Sequence, residues 1–301
     1  MEQDPPLSPS GQRRPAAERI RAANSRGDRE AVASRIGLNR TNWNERTRVH
    51  AKSDFYDVAG FKAGRITLNR YERARVGDVR GKSLLHLQCH FGLDTLSWAR
   101  LGAKATGVDI SDDAIRLARD LNDQVGLDAS FIRSNVYDLT RVLDDEFDIV
   151  YTAMGVLAWL PDLEGWAEVV ARHLKPGGLF YLLEIHPTSQ VFDDETTLDS
   201  RRDLRVRYGY FPNPEGLSFP GGVPSYAGDE PIESPCHEWH HSIGEILTAL
   251  LRAGLRLTSF AEHPATLYKQ FSGMTQGDDG LWRLPFDGDF LPLVFELTAT
   301  K

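Results

Sequence analysis

The sequence predicts an α/β protein with a doubly wound, mostly parallel sheet, and three observations carry that reading. From residue 83 onward short apolar runs alternate with stretches of helical periodicity, the pattern of βαβ units. Helix start and stop signals fall between those runs, where the alternation requires them. A last run, in which Leu293, Phe295, Leu297 and Ala299 occupy every second position, reads as a C-terminal antiparallel strand.

Composition narrows the function classes. Of 301 residues 41% are hydrophobic and 26% charged, which excludes fibrous, collagen-like and wholly disordered chains. The longest uncharged apolar stretch, 149–160, has 12 residues, against the roughly 20 of a membrane-spanning helix, so no membrane partner is expected. The first 40 residues hold no apolar h-region, and Cys89 and Cys236 are the only cysteines; both facts predict a cytoplasmic protein. A net charge of −8 gives no general attraction to phosphate backbones, so nucleic acid is not an expected partner. A homo-oligomer is compatible with the sequence.

Taken in order, residues 1–40 mix Pro5, Pro6, Pro9 and Pro15 with arginines and are expected to be disordered, or to form one loosely docked helix near 16–35. Aromatic residues gather from Trp43, so 41–80 reads as a helical cap. Strand one at 83–87 leads to a helix at 93–101, and strand two at 105–108 leads to a helix capped by Ser111. That helix has Asp112 and Asp113 in its first turn and Ile115, Ala118, Leu121 and Val125 on one face. Strands follow at 129–133, 147–152 and 179–185, with a helix at 161–174 that stops at Lys175-Pro176-Gly177-Gly178. The alternation breaks over 187–241, a Pro- and Gly-rich stretch that carries many aromatics and is expected to be a substrate lid. It resumes with the capping box Ser242-Ile243-Gly244-Glu245 and late strands at 256–263 and 292–299, so the core domain comprises 81–186 and 242–301.

The residues that carry chemistry cluster after strand one. The loop Leu87-Gln88-Cys89-His90-Phe91-Gly92-Leu93-Asp94 opens a helix, and Asp109 ends strand two 21 residues after Gln88. In a nucleotide-binding α/β unit this brings a ligand to the helix N-terminus while the carboxylate accepts from ribose hydroxyls. Four further segments follow in order: Gly107-Val108-Asp109-Ile110-Ser111, Asn135-Val136-Tyr137-Asp138, Phe147-Asp148-Ile149-Val150-Tyr151 and Leu174-Lys175-Pro176-Gly177-Gly178. With them, residues 83–185 resemble the class I S-adenosylmethionine-dependent methyltransferases of small-molecule type, which implies a Rossmann-like fold and S-adenosylmethionine as cofactor. In that family the first loop usually reads Asp-Leu-Gly-Cys-Gly-x-Gly, whereas this chain has His86-Leu87-Gln88-Cys89-His90-Phe91-Gly92. The resemblance implies that Gln88, Cys89, His90 and Gly92 border the cofactor and that Asp109 and Ile110 meet the ribose end. It further implies that Asn135 and Val136 flank the adenine and that Thr152 to Gly155 lie beside the methionine portion.

Methyl transfer needs alignment of nucleophile, methyl and sulfur, and a general base where the acceptor loses a proton. Glu184 and His186 stand past strand five, at the crevice where open α/β sheets bind ligands, with His240 and His241 as further catalytic candidates. Tyr208, Tyr210, Tyr226 and Trp239 are expected to wall the acceptor site, which points to an apolar aromatic or isoprenoid-like small molecule of secondary metabolism. His237-Glu238-Trp239-His240-His241 matches H-E-x-x-H, but Pro235 precedes it and the helix starts only at Ser242, so no metal is expected. Two rivals are a nicotinamide-dependent oxidoreductase, disfavoured by the absence of G-x-G-x-x-G, and a non-catalytic S-adenosylmethionine-binding protein. The acceptor atom is left open between oxygen, nitrogen and carbon.

Overall fold

The computed structural model describes residues 26–193, 204–286 and 290–301. The disorder expected before residue 26 lies outside them. Five strands come first: β1 (Ser83–Leu87), β2 (Lys104–Asp109), β3 (Ser130–Arg133), β4 (Phe147–Ala153) and β5 (Leu174–Ile185). The insertion carries β6 (Leu217–Phe219), β7 (Val223–Ser225), β8 (Gly228–Ile232) and β9 (Cys236–Glu238). After it come β10 (Arg256–His263), the short β11 (Ala265–Thr266), β12 (Thr275–Gln276) and β13 (Trp282–Arg283), and finally β14 (Val294–Thr300). The helices are α1 (Arg26–His50), α2 (Val58–Lys62), α3 (Arg70–Val76), α4 (Leu93–Arg100), α5 (Asp112–Val125), α6 (Leu163–His173) and α7 (Ile243–Arg252).

The central sheet has seven strands in the order β10-β14-β5-β4-β1-β2-β3. Its strands β1 to β5 pair in parallel, while β14 runs antiparallel between β5 and β10, as the alternation of its sequence predicts. The chain moves outward from β1 to β3, returns to β4 on the other side of β1, and so creates a topological switch between β1 and β4. Ligands of open α/β sheets bind at such a switch, beyond the carboxyl ends of the strands.

Both faces of the sheet are covered, so its central strands are apolar on both sides. Leu85 and Leu87 join Trp166, Phe180 and Phe295 on one face, whereas Leu84 joins Trp98, Tyr151 and Tyr181 on the other. Burying each such side chain contributes roughly 1.5–3 kcal/mol. Helix α5 starts where the sequence says: the Ser111 hydroxyl accepts from Ala114 N–H, and Gly126 closes the helix in the left-handed region at φ 64°. Helix α7 has the capping box expected at Ser242 and Glu245.

The sequence misjudges the N-terminal segment. Helix α1 runs straight through the expected boundary at residue 40, and from about Arg35 it is tied on two sides, where the sequence suggested loose docking. Toward the core, Arg40 pairs with Asp112, Arg48 with Asp113, and Asn44 Oδ1 accepts from the Ser111 hydroxyl and Asp113 N–H. Toward the insertion, Asn39 exchanges two hydrogen bonds with the His237 backbone at 2.7 and 2.8 Å, and Asn42 donates to Ser234 carbonyl. Glu45 accepts from Glu233 N–H and Ser234 N–H. The insertion therefore hangs on α1, and α1 hangs on the first turn of α5.

Candidate functional site

A cavity of about 1220 Å³ opens at the β1–β4 switch, beneath α1 and the insertion. That exceeds the roughly 300–1,000 Å³ of a site for one drug-sized ligand.

The loop after β1 forms its floor in an unusual way. Gln88 and His90, which stand where the resembled family has glycine, sit at φ 58° and 52°. An L-residue in that region costs roughly 1–2 kcal/mol, so each side chain must recover the cost through its contacts. Gln88 Nε2 donates to Val156 carbonyl at 3.0 Å, which ties the β1 loop to the loop after β4. Its Oε1 is buried at the cavity wall without a donor among the described residues. His90 Nδ1 accepts from Phe91 N–H at 2.7 Å, so its proton resides on Nε2, which faces His50 Nδ1 at 3.1 Å. His50 Nε2–H is then left to donate to Ser225 Oγ at 2.7 Å. Burial and the Arg46 charge push the His50 imidazole down to about 3, and burial pushes His90 well below the ordinary histidine range, so both rings are neutral. Gly92, at φ 78°, has to be glycine: a Cβ there would meet the Phe131 ring at 2.6 Å.

Asp109 ends β2 at the cavity and is half-buried. Its two oxygens accept from His90 N–H and Ser111 N–H, each at 2.8 Å, and burial raises its pKa to about 6 despite those bonds. Cys89, Ile110, Asn135 and Val136 line the same cavity. Of Thr152 to Gly155, Thr152 is fully buried within the sheet and does not line the cavity, whereas Ala153, Met154 and Gly155 do, together with Val156.

The candidates past β5 are placed differently from expectation. The Glu184 carboxylate turns into the β4 loop, where Oε1 accepts from Gly155 and Ile185 N–H and Oε2 from Val156 and Leu157 N–H, at 2.6–2.9 Å. It anchors the loop that lines the cavity and does not line the cavity itself. His186 is buried with Nδ1 accepting from Thr188 N–H, so its Nε2–H donates to Glu262 at 2.8 Å, away from the cavity. His241 is buried against Leu160 carbonyl. His240 alone of the four catalytic candidates lines the cavity. Burial lowers its pKa against the opposing hydrogen bond to the Gly209 backbone, so it is a neutral imidazole.

Among the aromatics, Tyr208 and Tyr226 line the cavity, while the Tyr210 hydroxyl accepts from Ile243 N–H and Trp239 is buried against the His237 ring outside the cavity. The H-E-x-x-H residues lie on β9 and the coil after it, and both ring nitrogens of His237 are taken by Ser218 Oγ and Glu215 carbonyl. Residues that sequence reading missed come mainly from α1: Trp43, Arg46 and His50 follow Asn39 at spacings of four, three and four, one stripe of a helix. That stripe is a legible signal, but it is polar and aromatic rather than apolar. Glu72 and Asp94, also missed, line the cavity nearer the sheet. Burial raises Glu72 to about 8 although Tyr151 donates to it, and raises Asp94 against the Thr67 hydrogen bond.

Two outcomes follow. Were the ionised Asp109 to accept from ribose hydroxyls, as the resemblance implies, affinity for S-adenosylhomocysteine would fall as pH drops below about 6, by up to about tenfold per unit. Calorimetry between pH 5 and 7.5 should show this slope in the parent and a flat, weaker response in Asp109→Asn. Glu184→Gln places amide N–H groups against backbone donors, so it should lose about 1–3 kcal/mol in urea denaturation. A variant as stable as the parent but inactive would return Glu184 to the reaction.

Comparison with known proteins agrees with this geometry. Residues 85–180 match a methyltransferase domain family. The ubiquinone biosynthesis O-methyltransferase of Xanthomonas oryzae pv. oryzae is 33% identical over 122 residues, 40% of this chain and 50% of that protein. The Proteus mirabilis protein of the same name is 28% identical over 40% of this chain. The chain thus spans about half the length of the curated relatives it matches. An S-adenosylmethionine-dependent methyltransferase from Mesorhizobium loti shares the fold at TM-score 0.55 and 19% identity, covering 80% of this chain and all of that one. A second, from Clostridium acetobutylicum, gives TM-score 0.52 at 12% identity over 83% of this chain and 93% of that one. Residues 85–180 thus match a methyltransferase domain, and the sheet around them has the fold of solved S-adenosylmethionine-dependent methyltransferases.

Proposed function

We propose that the protein transfers a methyl group from S-adenosylmethionine to a hydroxyl oxygen of a small aromatic acceptor held beneath α1 and the insertion. The observation that carries this reading is the cavity itself: it lies at the β1–β4 switch, has a volume of about 1220 Å³, and is lined by the sheet loops on one side and by α1 and the insertion on the other. The residues present fit the cofactor. Gln88 Oε1 is a buried acceptor without a donor, as an ammonium group requires, and Asp109 offers a carboxylate for ribose hydroxyls. Asn135 and Val136 border the adenine end.

When bound, S-adenosylmethionine supplies a methyl carbon activated by its sulfonium. The chain positions, encloses and deprotonates. Trp43, Tyr56, Tyr208 and Tyr226 wall the acceptor space and exclude water. His240, neutral and on the cavity surface, accepts the hydroxyl proton. Oxygen as the acceptor atom, and an aromatic acceptor, are carried over from the relatives named for O-methylation and from the aromatic wall.

The test is a mass-spectrometric screen of phenols and catechols with S-adenosylmethionine, reading the added methyl group. His240→Asn should lower turnover on the best acceptor by about 10² while leaving S-adenosylhomocysteine affinity within twofold. Unchanged turnover would remove His240 from the reaction, and no methylated product from any phenol would contradict oxygen as the acceptor atom.

A further inference from the structure

Arg46 projects from α1 into the cavity and has no carboxylate within ion-pair distance among the described residues. It is nevertheless held in place. Nε donates to Asn42 Oδ1 at 2.6 Å, Asn42 is itself fixed by Ser234 carbonyl, and the guanidinium carbon lies 5.5 Å from both the Trp43 and Trp159 ring centroids. The Cys236 thiol, pushed up by burial and drawn back by Arg46, is its other neighbour. The remaining N–H groups form the fork with which arginine reads planar anions in bidentate fashion.

Other groups on this wall are donors as well. Ser225 Oγ takes N–H bonds from Ala227 and His50, so both its lone pairs are spent and its proton is left over. Tyr56 and Tyr226 share one hydrogen bond at 2.6 Å, which leaves one phenol proton over. His50 and His90 carry no charge that would balance or compete with the arginine. The wall is built by α1 and the insertion, whereas Gln88, Asp109, Asn135 and Val136 of the sheet loops form the opposite side. Of the carboxylates that line the cavity, Glu72 and Asp94 come from α3 and the first turn of α4 and are engaged by Tyr151 and Thr67, Asp109 follows β2, and Asp54, Asp279 and the insertion's Glu238 complete the set without pairing with Arg46.

We propose that Arg46, with Ser225, receives an anionic oxygen group, a carboxylate in its simplest form, carried by the methyl acceptor. The protein would then select acidic aromatic acceptors over neutral ones of the same shape. This rests on the methyl-transfer reading for the word acceptor, but the anion-binding claim is tested without turnover.

The experiment measures binding of matched acid and amide pairs to the full chain saturated with S-adenosylhomocysteine: benzoate and benzamide, cinnamate and cinnamamide, 4-hydroxybenzoate and 4-hydroxybenzamide. Ligand-observed NMR titration is expected to show at least one acid bound tenfold or more tighter than its amide. Arg46→Gln should abolish that difference and Arg46→Lys should keep part of it, since lysine retains the charge and loses the fork. Thermal melts establish that both variants are folded, and S-adenosylhomocysteine affinity should stay within twofold. No acid preference across the whole set in the parent protein would overturn the proposal. So would a tenfold loss of S-adenosylhomocysteine affinity in Arg46→Gln with methylthioadenosine binding unchanged, because the arginine would then hold the cofactor's own carboxylate. If the parent protein fails to bind S-adenosylhomocysteine, the methyl-transfer reading falls alone, and the acid–amide comparison still decides the role of Arg46.

Discussion

The hydrogen-bonded chain from Phe91 N–H through His90 and His50 to Ser225 joins the three parts that make the cavity. The backbone donor at one end fixes every proton position along it, and burial keeps both imidazoles neutral, so the chain has one polarity. A first loop with glycine at positions 88 and 90 would be free of backbone strain but would offer no side chain to grip the roof. Here two residues accept a left-handed backbone and use their side chains as ties, Gln88 to the β4 loop and His90 to α1. The floor and the roof of the cavity are thereby one connected unit.

The same economy shows in the electrostatics of the cavity. Glu72 and Asp94 lie on the sheet side with their carboxyls pushed up by burial, and Arg46 lies on the roof side without an anionic partner among the described residues. A ligand with positive groups placed toward the sheet would bring the raised carboxyls back toward their ordinary range.

Much of the fold was legible because its signals are local or periodic. The Ser111 cap, the Gly126 stop, the Ser242–Glu245 capping box and the alternation of β14 each follow from residues a few positions apart. Asp109 was legible because strand, loop and helix fix its place. The direction of Glu184 was not: its position past β5 is at the crevice, but three backbone donors 27–29 residues earlier and one adjacent to it decide where the carboxylate turns. His186 and His241 failed as candidates for the same reason, each captured by a partner distant in sequence. The boundary expected at residue 40 fell inside α1 because the stripe that docks the helix is Asn39, Asn42, Arg46 and His50, residues that pack against a polar insertion rather than an apolar core.

Imidazole nitrogen NMR on the full chain tests the central claim most directly. With two-bond correlations from ring protons, His90 should be a neutral ring protonated on Nε2 and bare on Nδ1, His50 should be the same tautomer, and neither should titrate between pH 8 and about 4. Either ring titrating near pH 6.5, or averaging between tautomers, would mean that loop, helix and insertion are not joined as described.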